Sequence, residues 1–246
     1  MHRLLVDKAL LGDNSPRLPK EAEQHLKVLR PKAGEKIELF DGEGRTRHYS
    51  VSLDGRSFLL NAVDELKASP RPEFALTLFA CVTKGSRWDW TIEKATELGV
   101  TKIVPVISER TIVRIAPTDR ASKRERWQRI AEDAARQSDA VYLPEILPAV
   151  DFDEAVKMAA KTKCFIGALT SPPSPMLAEA IAQDGVARNS GLTCEYAVFI
   201  GPEGDFTPEE LSSLMKVATP TSFGSTILRA ETAAIFALSV IKGLKG

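Results

Sequence analysis

Tyr196-Ala-Val-Phe-Ile-Gly-Pro-Glu-Gly-Asp-Phe-Thr-Pro-Glu-Glu210 decides the fold class. Its opening, closed by Ile200, is an unbroken apolar run, the pattern of a strand buried on both faces. The run breaks at Gly201-Pro202-Glu203-Gly204. Thr207, Pro208 and Glu210 then spell a helix start: a hydroxyl at the N-cap, a proline at the first helical position and a carboxylate three residues after the cap. A buried strand that turns directly into a helix is the unit of a parallel α/β sheet. Glycines at 201 and 204 let the backbone bend sharply and approach a ligand closely. The N–H and C=O groups of such a corner suit the edge of a planar heterocycle. A tight turn that holds no ligand explains the same residues equally well.

Working outward, the pattern repeats. Phe223-Gly-Ser-Thr-Ile-Leu-Arg-Ala-Glu-Thr-Ala-Ala reads as a short last strand over Thr221–Phe223, a bend at Gly224, a loop, and a terminal helix over Ala230–Leu244. Ligands of parallel sheets gather beyond the carboxyl ends of the strands, so Arg229 and Glu231 are expected on the same rim as 201–204. An Arg229–Glu231 ion pair at a helix N-terminus is the competing reading of these two. Upstream, Phe74–Val82 is a buried strand. Ser86 with Asp89 predicts a capping box, for a helix that runs through Ile92, Ala95 and Leu98 and stops at Gly99. Lys102–Ile107 is the next strand, and Ser122 with Glu125 predicts a second capping box. Trp127, Ile130, Ala131, Ala134 and Ala135 make an apolar stripe at helical period. Asp153–Ala160 and Met176–Gln183 read as helices, and Cys164–Leu169 as a strand.

The first 70 residues read differently. A helix over Lys20–Arg30 stops at Pro31, and short strands follow at Lys36–Phe40, Arg45–Leu53 and Ser57–Val63. Asp41-Gly-Glu-Gly and Asp54-Gly between them are hairpin turns. Ser69-Pro-Arg-Pro biases the chain to an extended linker and divides it into residues 1–70 and 71–246.

Several classes of function lose support. The longest apolar runs, such as Phe74–Val82 with Thr77 inside it, are far short of the ~20 residues of a membrane helix, and the first residues carry no secretory pattern. No G-x-x-x-x-G-K, no G-x-G-x-x-G after a strand and no G-x-S-x-G elbow occurs. Cys81, Cys164 and Cys194 form no C-x-x-C pair, and His2, His25 and His48 share no ligand spacing, so no metal is expected. Buried, reduced cysteines fit a cytoplasmic protein. Formal charge is balanced, at 33 basic and 33 acidic residues, but unevenly spread. Arg110–Arg136 holds eight basic and four acidic residues, whereas Val141–Gly246 holds eight basic and twelve acidic. The middle of the chain either faces a polyanion or is a solvated helix face laced with ion pairs.

Seven segments, in order along nearly the whole chain, resemble the SPOUT methyltransferases and, more closely, the ribosomal RNA small subunit methyltransferase E family. They are His25-Leu-Lys-Val-Leu-Arg, Leu39-Phe-Asp-Gly, Ile92-Glu-Lys-Ala-Thr-Glu-Leu-Gly-Val, Ser108-Glu-Arg, Ala134-Ala-Arg-Gln-Ser, Ile200-Gly-Pro-Glu-Gly and Ile227-Leu-Arg-Ala-Glu-Thr-Ala. The resemblance implies an α/β fold: a PUA-like RNA-binding β-barrel over 1–70, then over 71–246 a parallel sheet with helices on both faces and a trefoil knot, in a homodimer. It implies transfer of a methyl group from S-adenosyl-L-methionine to N3 of a uridine in 16S rRNA, either naked or in the assembled small ribosomal subunit. Carried over residue by residue, the cofactor pocket is Leu169, Thr170, Ile200, Gly201, Pro202, Glu203, Gly204, Phe223, Gly224, Ile227 and Leu228. Arg229 and Glu231 face the transferred methyl group and the target base.

Arg229 is expected to stabilise the uracil anion; Glu231 is either the proton acceptor or a structural partner of Arg229. RNA is expected at Arg3, Lys84, Arg87, Arg110, Arg114, Arg124, Arg126 and Arg136, with Trp88 and Trp90 as candidates to stack on a base. Trp127 is assigned to the core or a dimer contact. N3 lies on the Watson–Crick edge, so the target base must be unpaired or turned out of its helix. The chain departs from the family at Asp205, where a second glycine is usual, at Thr226, where arginine is frequent, and at Asp139, where a basic residue is common. Two other readings stay open: a SPOUT enzyme for tRNA or a ribose 2′-hydroxyl, and a non-catalytic RNA-binding module.

Overall fold

The computed structural model describes residues 1–55, 57–168, 173–183 and 194–245, with all their side chains except those of residues 54 and 194. The chain forms two compact units. The first comprises Met1–Arg71 together with Glu132–Leu143; the second comprises Pro72–Ala131 and Pro144–Gly246.

The first unit holds β1 (His2–Leu5), α1 (Lys8–Leu11), α2 (Lys20–Leu29), β2 (Lys36–Phe40), β3 (Arg45–Asp54), β4 (Ser57–Ala62) and β5 (Lys67–Ala68). The sheet runs β1-β2-β3-β4, with β5 also on β3, and only the β1–β2 pair is parallel. Asp41 explains the first hairpin. Its carboxylate accepts the N–H of Glu43 (2.8 Å) and of Arg45 (3.0 Å), and its other oxygen meets the Arg45 guanidinium at 2.6 Å. Leu4, Leu26, Ile37, Leu39, Tyr49, Val51 and Leu60 form the core. α2 ends with Arg30 in the left-handed region, ahead of Pro31, which cannot continue a helix.

The second unit holds β6 (Phe74–Cys81), α3 (Ser86–Glu97), β7 (Lys102–Ile107), α4 (Arg120–Gln137, shared with the first unit from Glu132 on), β8 (Glu145–Ile146), β9 (Val150–Asp151), α5 (Phe152–Ala159), β10 (Lys163–Gly167), α6 (Leu177–Gln183), β11 (Cys194–Ile200), α7 (Pro208–Leu214), β12 (Ala218–Thr221) and α8 (Ala230–Lys245). Its sheet runs β12-β10-β11-β6-β7-β8, with β9 also on β7, and every pair is parallel. Helices cover both faces. Leu76, Leu78 and Ala80 of β6 join a core with Trp88, Ile92, Trp127, Leu238 and Ile241, while Phe79 and Cys81 join a second core with Phe152, Ala155, Phe199 and Leu214. That two-sided burial is why the strand reads as an apolar run interrupted only by Thr77.

Local signals failed in three places. Gly85, at φ 69°, is the N-cap of α3; Ser86 lies inside the helix and makes no cap, and Asp89 pairs with Arg126 instead. α4 begins at Arg120, behind a 3₁₀ turn at Pro117–Asp119, and the Ser122 hydroxyl donates back to the Asp119 carbonyl (3.0 Å). The strand read at Thr221–Phe223 is Ala218–Thr221, because its partner β10 pairs Cys164–Gly167 with those residues.

Candidate functional site

Three strands deliver the site to one rim. Ile166 pairs with Phe199 of β11 and Gly167 with Thr221 of β12, so the carboxyl ends of β11, β10 and β12 lie side by side. At roughly 4.8 Å per strand step, the corner at 201 and the corner at 222 are about 10 Å apart along the sheet edge. β10 exits between them toward Leu169 and Thr170, which lie outside the described residues. The last residue of β10, Gly167, bears on the second corner: a Cβ placed there would come within 2.6 Å of the Phe223 ring.

The first corner is locked by the helix it feeds. Thr207 accepts the N–H of Glu210 (3.2 Å), and Glu210 returns a carboxylate oxygen to the N–H of Thr207 (3.1 Å). The other Glu210 oxygen accepts the N–H of Glu109 (2.8 Å), from the loop after β7. Pro202 and Phe206 are buried, and Phe206 packs against Phe199 and Phe152 with centroids 5.7 and 5.6 Å apart. Gly201 suits that packing, because a Cβ there would stand 3.0 Å from the Phe206 ring, which would have to give way. Glu203 and Gly204 remain exposed at the tip, and Asp205 takes a left-handed φ of 60°.

The second corner carries Gly224 at φ 119°, a value that side-chain-bearing residues rarely adopt. Ile227 is 91% exposed, an unusual position for an isoleucine, and Leu228 is half-buried. Among the described residues, the backbone N–H groups of Ile227, Leu228 and Arg229 find no acceptor. Arg229 is exposed, and no ion pair joins it to Glu231 among the described residues. Oε2 of Glu231, in the first turn of α8, is buried and lacks a hydrogen-bond partner. An unpaired buried carboxylate oxygen costs free energy. Unpaired amides and an exposed apolar side chain together suit a ligand with a planar polar edge and an apolar face.

Most of the arginines read as RNA contacts hold the protein's own groups. Arg110 Nη1 donates to the carbonyls of Gly204 (3.1 Å) and Phe206 (3.3 Å). Arg87 meets Glu203 at 3.2 Å, and Arg114 donates to the carbonyls of Ser108 (3.2 Å) and Glu109 (2.6 Å). Arg124 donates to the Ile146 carbonyl (2.9 Å), Arg126 grips Asp89 with two hydrogen bonds, and Arg136 pairs with Asp133. Lys84 is exposed. Arg3 is a correction. It is 5% exposed, bonded through Nε to Glu38 (2.6 Å) and through Nη1 to the Ala135 carbonyl (2.8 Å), with its guanidinium 4.3 Å from the Phe40 ring centre. A charge so enclosed serves the fold of the first unit, not a phosphate. Trp88 is a second correction: at 3% exposure it packs edge-on against Trp127 in the core, whereas Trp90 is 40% exposed. The alternative reading of the charged stretch, ion pairs within the protein, fits Arg126 with Asp89 and Arg136 with Asp133, whereas the bonds to backbone carbonyls leave no mark in a charge pattern.

Burial pushes the Cys81 thiol up to about 11 and that of Cys164 to about 12, so neither is a nucleophile at neutral pH. Among the described residues no group of His, Cys, Asp and Glu could hold a metal ion, and no helix is long and apolar enough to cross a membrane.

Comparisons with known proteins converge. Residues 70–242 match the RNA methyltransferase domain family. A ribosomal RNA small subunit methyltransferase E of Synechocystis is 34% identical over 222 residues, spanning 89% of this chain and 69% of its own length. One of Bacillus subtilis is 28% identical over 226 residues, spanning 90% and 86%. Among solved structures, the ribosomal RNA small subunit methyltransferase E of Neisseria gonorrhoeae, bound to S-adenosyl methionine, matches with a TM-score of 0.83 at 29% identity, over 99% of this chain and 98% of that one.

Proposed function

We propose, from the premise that this chain belongs to the ribosomal RNA small subunit methyltransferase E family of RNA methyltransferases, that it methylates N3 of a uridine in 16S rRNA with S-adenosyl-L-methionine as donor. The observation that carries the reading is the meeting of three strand exits on one rim, with Gly201–Gly204 and Phe223–Leu228 as neighbouring corners. Those residues, with Ile200, Leu169 and Thr170, would hold the cofactor. The unpaired N–H groups of Ile227 and Leu228 fit the polar edge of an adenine, and the exposed Ile227 side chain fits its face. When bound, the cofactor supplies a methyl group on a sulfonium.

The chain's own work is positioning and proton control. Holding two reactants in line is worth up to roughly 7–11 kcal/mol of barrier. Uracil N3 carries a proton and is a poor nucleophile until that proton leaves. Glu231 would be the acceptor in this reading: its carboxylate would take the N3 proton, and the lone pair left on N3 would displace the methyl carbon from the sulfonium, the carbon–sulfur pair staying on a sulfur that becomes neutral. Arg229, exposed on the same loop and not tied to Glu231, sets its positive charge against the uracil anion. The first unit, as a PUA-like module, and the basic residues of the second, Lys84 foremost, would hold the RNA by phosphate contacts. Family membership also supports a trefoil-knotted path through the last strands, a homodimer and action in the cytoplasm.

The test has two steps. Calorimetry with S-adenosyl-L-methionine should show binding; without it the reading reduces to an RNA-binding module. Incubation with small-subunit RNA and with assembled subunits, followed by mass spectrometry of nucleosides, should yield 3-methyluridine. A ribose-methylated nucleoside, or activity confined to tRNA, would assign the chain to another SPOUT reaction.

A further inference from the structure

The first corner contains a strained residue. Asp205 sits at φ 60° although it bears a side chain, in a region that glycine enters freely and other residues enter at a cost. Such a residue persists only where its surroundings over-determine it. Asp205 donates its N–H to the Pro202 carbonyl (3.0 Å), and its own carboxylate accepts the N–H of Phe206 (2.7 Å). These bonds close the turn. The two carbonyls that bracket the strained residue, those of Gly204 and Phe206, are both taken by one nitrogen, Nη1 of Arg110. The loop that carries Arg110 is itself pinned: Arg114 holds the carbonyls of Ser108 and Glu109, and Glu210 holds the N–H of Glu109.

We propose that Arg110 is a positioning residue for the cofactor corner: by bridging the Gly204 and Phe206 carbonyls it holds Asp205 in its left-handed conformation, and so keeps Gly201–Gly204 in the shape that receives the ligand. The proposal rests on the assignment of that corner to S-adenosyl-L-methionine, and it separates Arg110 from the residues that meet phosphate. One guanidinium nitrogen carries two N–H groups and so serves both carbonyls, and hydrogen bonds from charged donors are the stronger ones.

The test is a double-mutant cycle with a second readout that needs no cofactor. Arg110→Ala is expected to weaken S-adenosyl-L-methionine binding roughly tenfold, the lower end for hydrogen bonds to a charged group. Asp205→Gly relieves the strain Arg110 counteracts, so Arg110→Ala combined with Asp205→Gly should recover most of that loss. Hydrogen exchange over residues 201–207 of the unliganded protein should quicken in Arg110→Ala and slow again in the double variant. The dependence of RNA affinity on salt should stay as in the parent chain. Arg110→Ala that leaves cofactor affinity and exchange unchanged, but lowers the salt slope by about one, would make Arg110 a phosphate contact and overturn the proposal. Failure of Asp205→Gly to restore either readout would also overturn it. If the parent chain binds no cofactor, the functional reading falls, and the exchange experiment still decides the role of Arg110.

Discussion

The ring of Phe223 lies against Gly167, so close that a Cβ there would come within 2.6 Å of it. This one contact joins the end of β10 to the second corner of the site, and Phe223 leans in turn on Phe236 of α8, with centroids 5.6 Å apart. Gly167→Ala must therefore swing the ring and the backbone that carries it. We expect a stability loss of roughly 1–3 kcal/mol, the usual range for overpacking, and cofactor affinity lowered about tenfold. Urea unfolding and calorimetry read the two effects. Parent-like affinity would detach Phe223 from the site.

Arg229→Ala should separate chemistry from binding. The side chain is exposed on the loop and forms no ion pair among the described residues, so its loss disturbs little of the fold. The methylation rate should fall ~10²–10³-fold, as when one stabilising donor is removed from a developing anion, while cofactor affinity moves little. Single-turnover methylation at saturating cofactor makes the measurement, and an unchanged rate would take Arg229 out of the mechanism.

Arg3→Ala is predicted to act on stability, not on RNA. Its removal leaves Glu38 short of its 2.6 Å partner and the Ala135 carbonyl short of its donor. Breaking a buried pair in this way costs about 3–5 kcal/mol. Arg3→Lys should rescue little, because an ammonium cannot serve both acceptors in the guanidinium's fixed geometry. Denaturant titration of each variant tests this. A drop in the salt slope of RNA binding at parent-like stability would contradict it.

Acid should weaken the first hairpin only below about pH 4. Burial alone would raise the Asp41 carboxyl, but the N–H groups of Arg45 and Glu43 and the Arg45 guanidinium outweigh it and hold it below the ordinary carboxylate range. The native state therefore binds fewer protons than the unfolded chain here. The contribution is fully present above the unfolded value near pH 4 and is lost as pH falls through the lower native value. Asp41→Asn should destabilise the protein at pH 7 and flatten the fall in stability below pH 4. Urea midpoints at pH 7 and pH 3 give the comparison; parallel curves for parent and variant would refute it.

The capping box at Thr207, Pro208 and Glu210 was legible because every partner lies within four residues. The Asp41 turn was legible for the same reason, and β6 and β11 because burial on both faces leaves a mostly apolar run. The same local grammar misled at Ser86 and Ser122. Gly85 took the cap of α3, and Asp89 found a stronger partner in Arg126, 37 positions away. The arginines show the same limit. Arg3 reads as surface charge until Glu38 and the Ala135 carbonyl enclose it, and the Gly204 and Phe206 carbonyls that meet Arg110 lie far from it in sequence. The rim itself was anticipated from the rule for parallel strands, but the pairing of β10 with both β11 and β12 is a property of topology that no local window contains.

That pairing sets a timetable for folding. β11 lies against β6, whose residues precede it by 120 positions, and the second corner follows β12, which pairs Ala218 with Cys164. Contacts of such long range form slowly, since each must close a large loop before it gains anything. A polypeptide still short of residue 224 has one glycine bend without its neighbour. Growing chains at that stage should be silent toward the methyl donor, which delays competence until the sheet is whole.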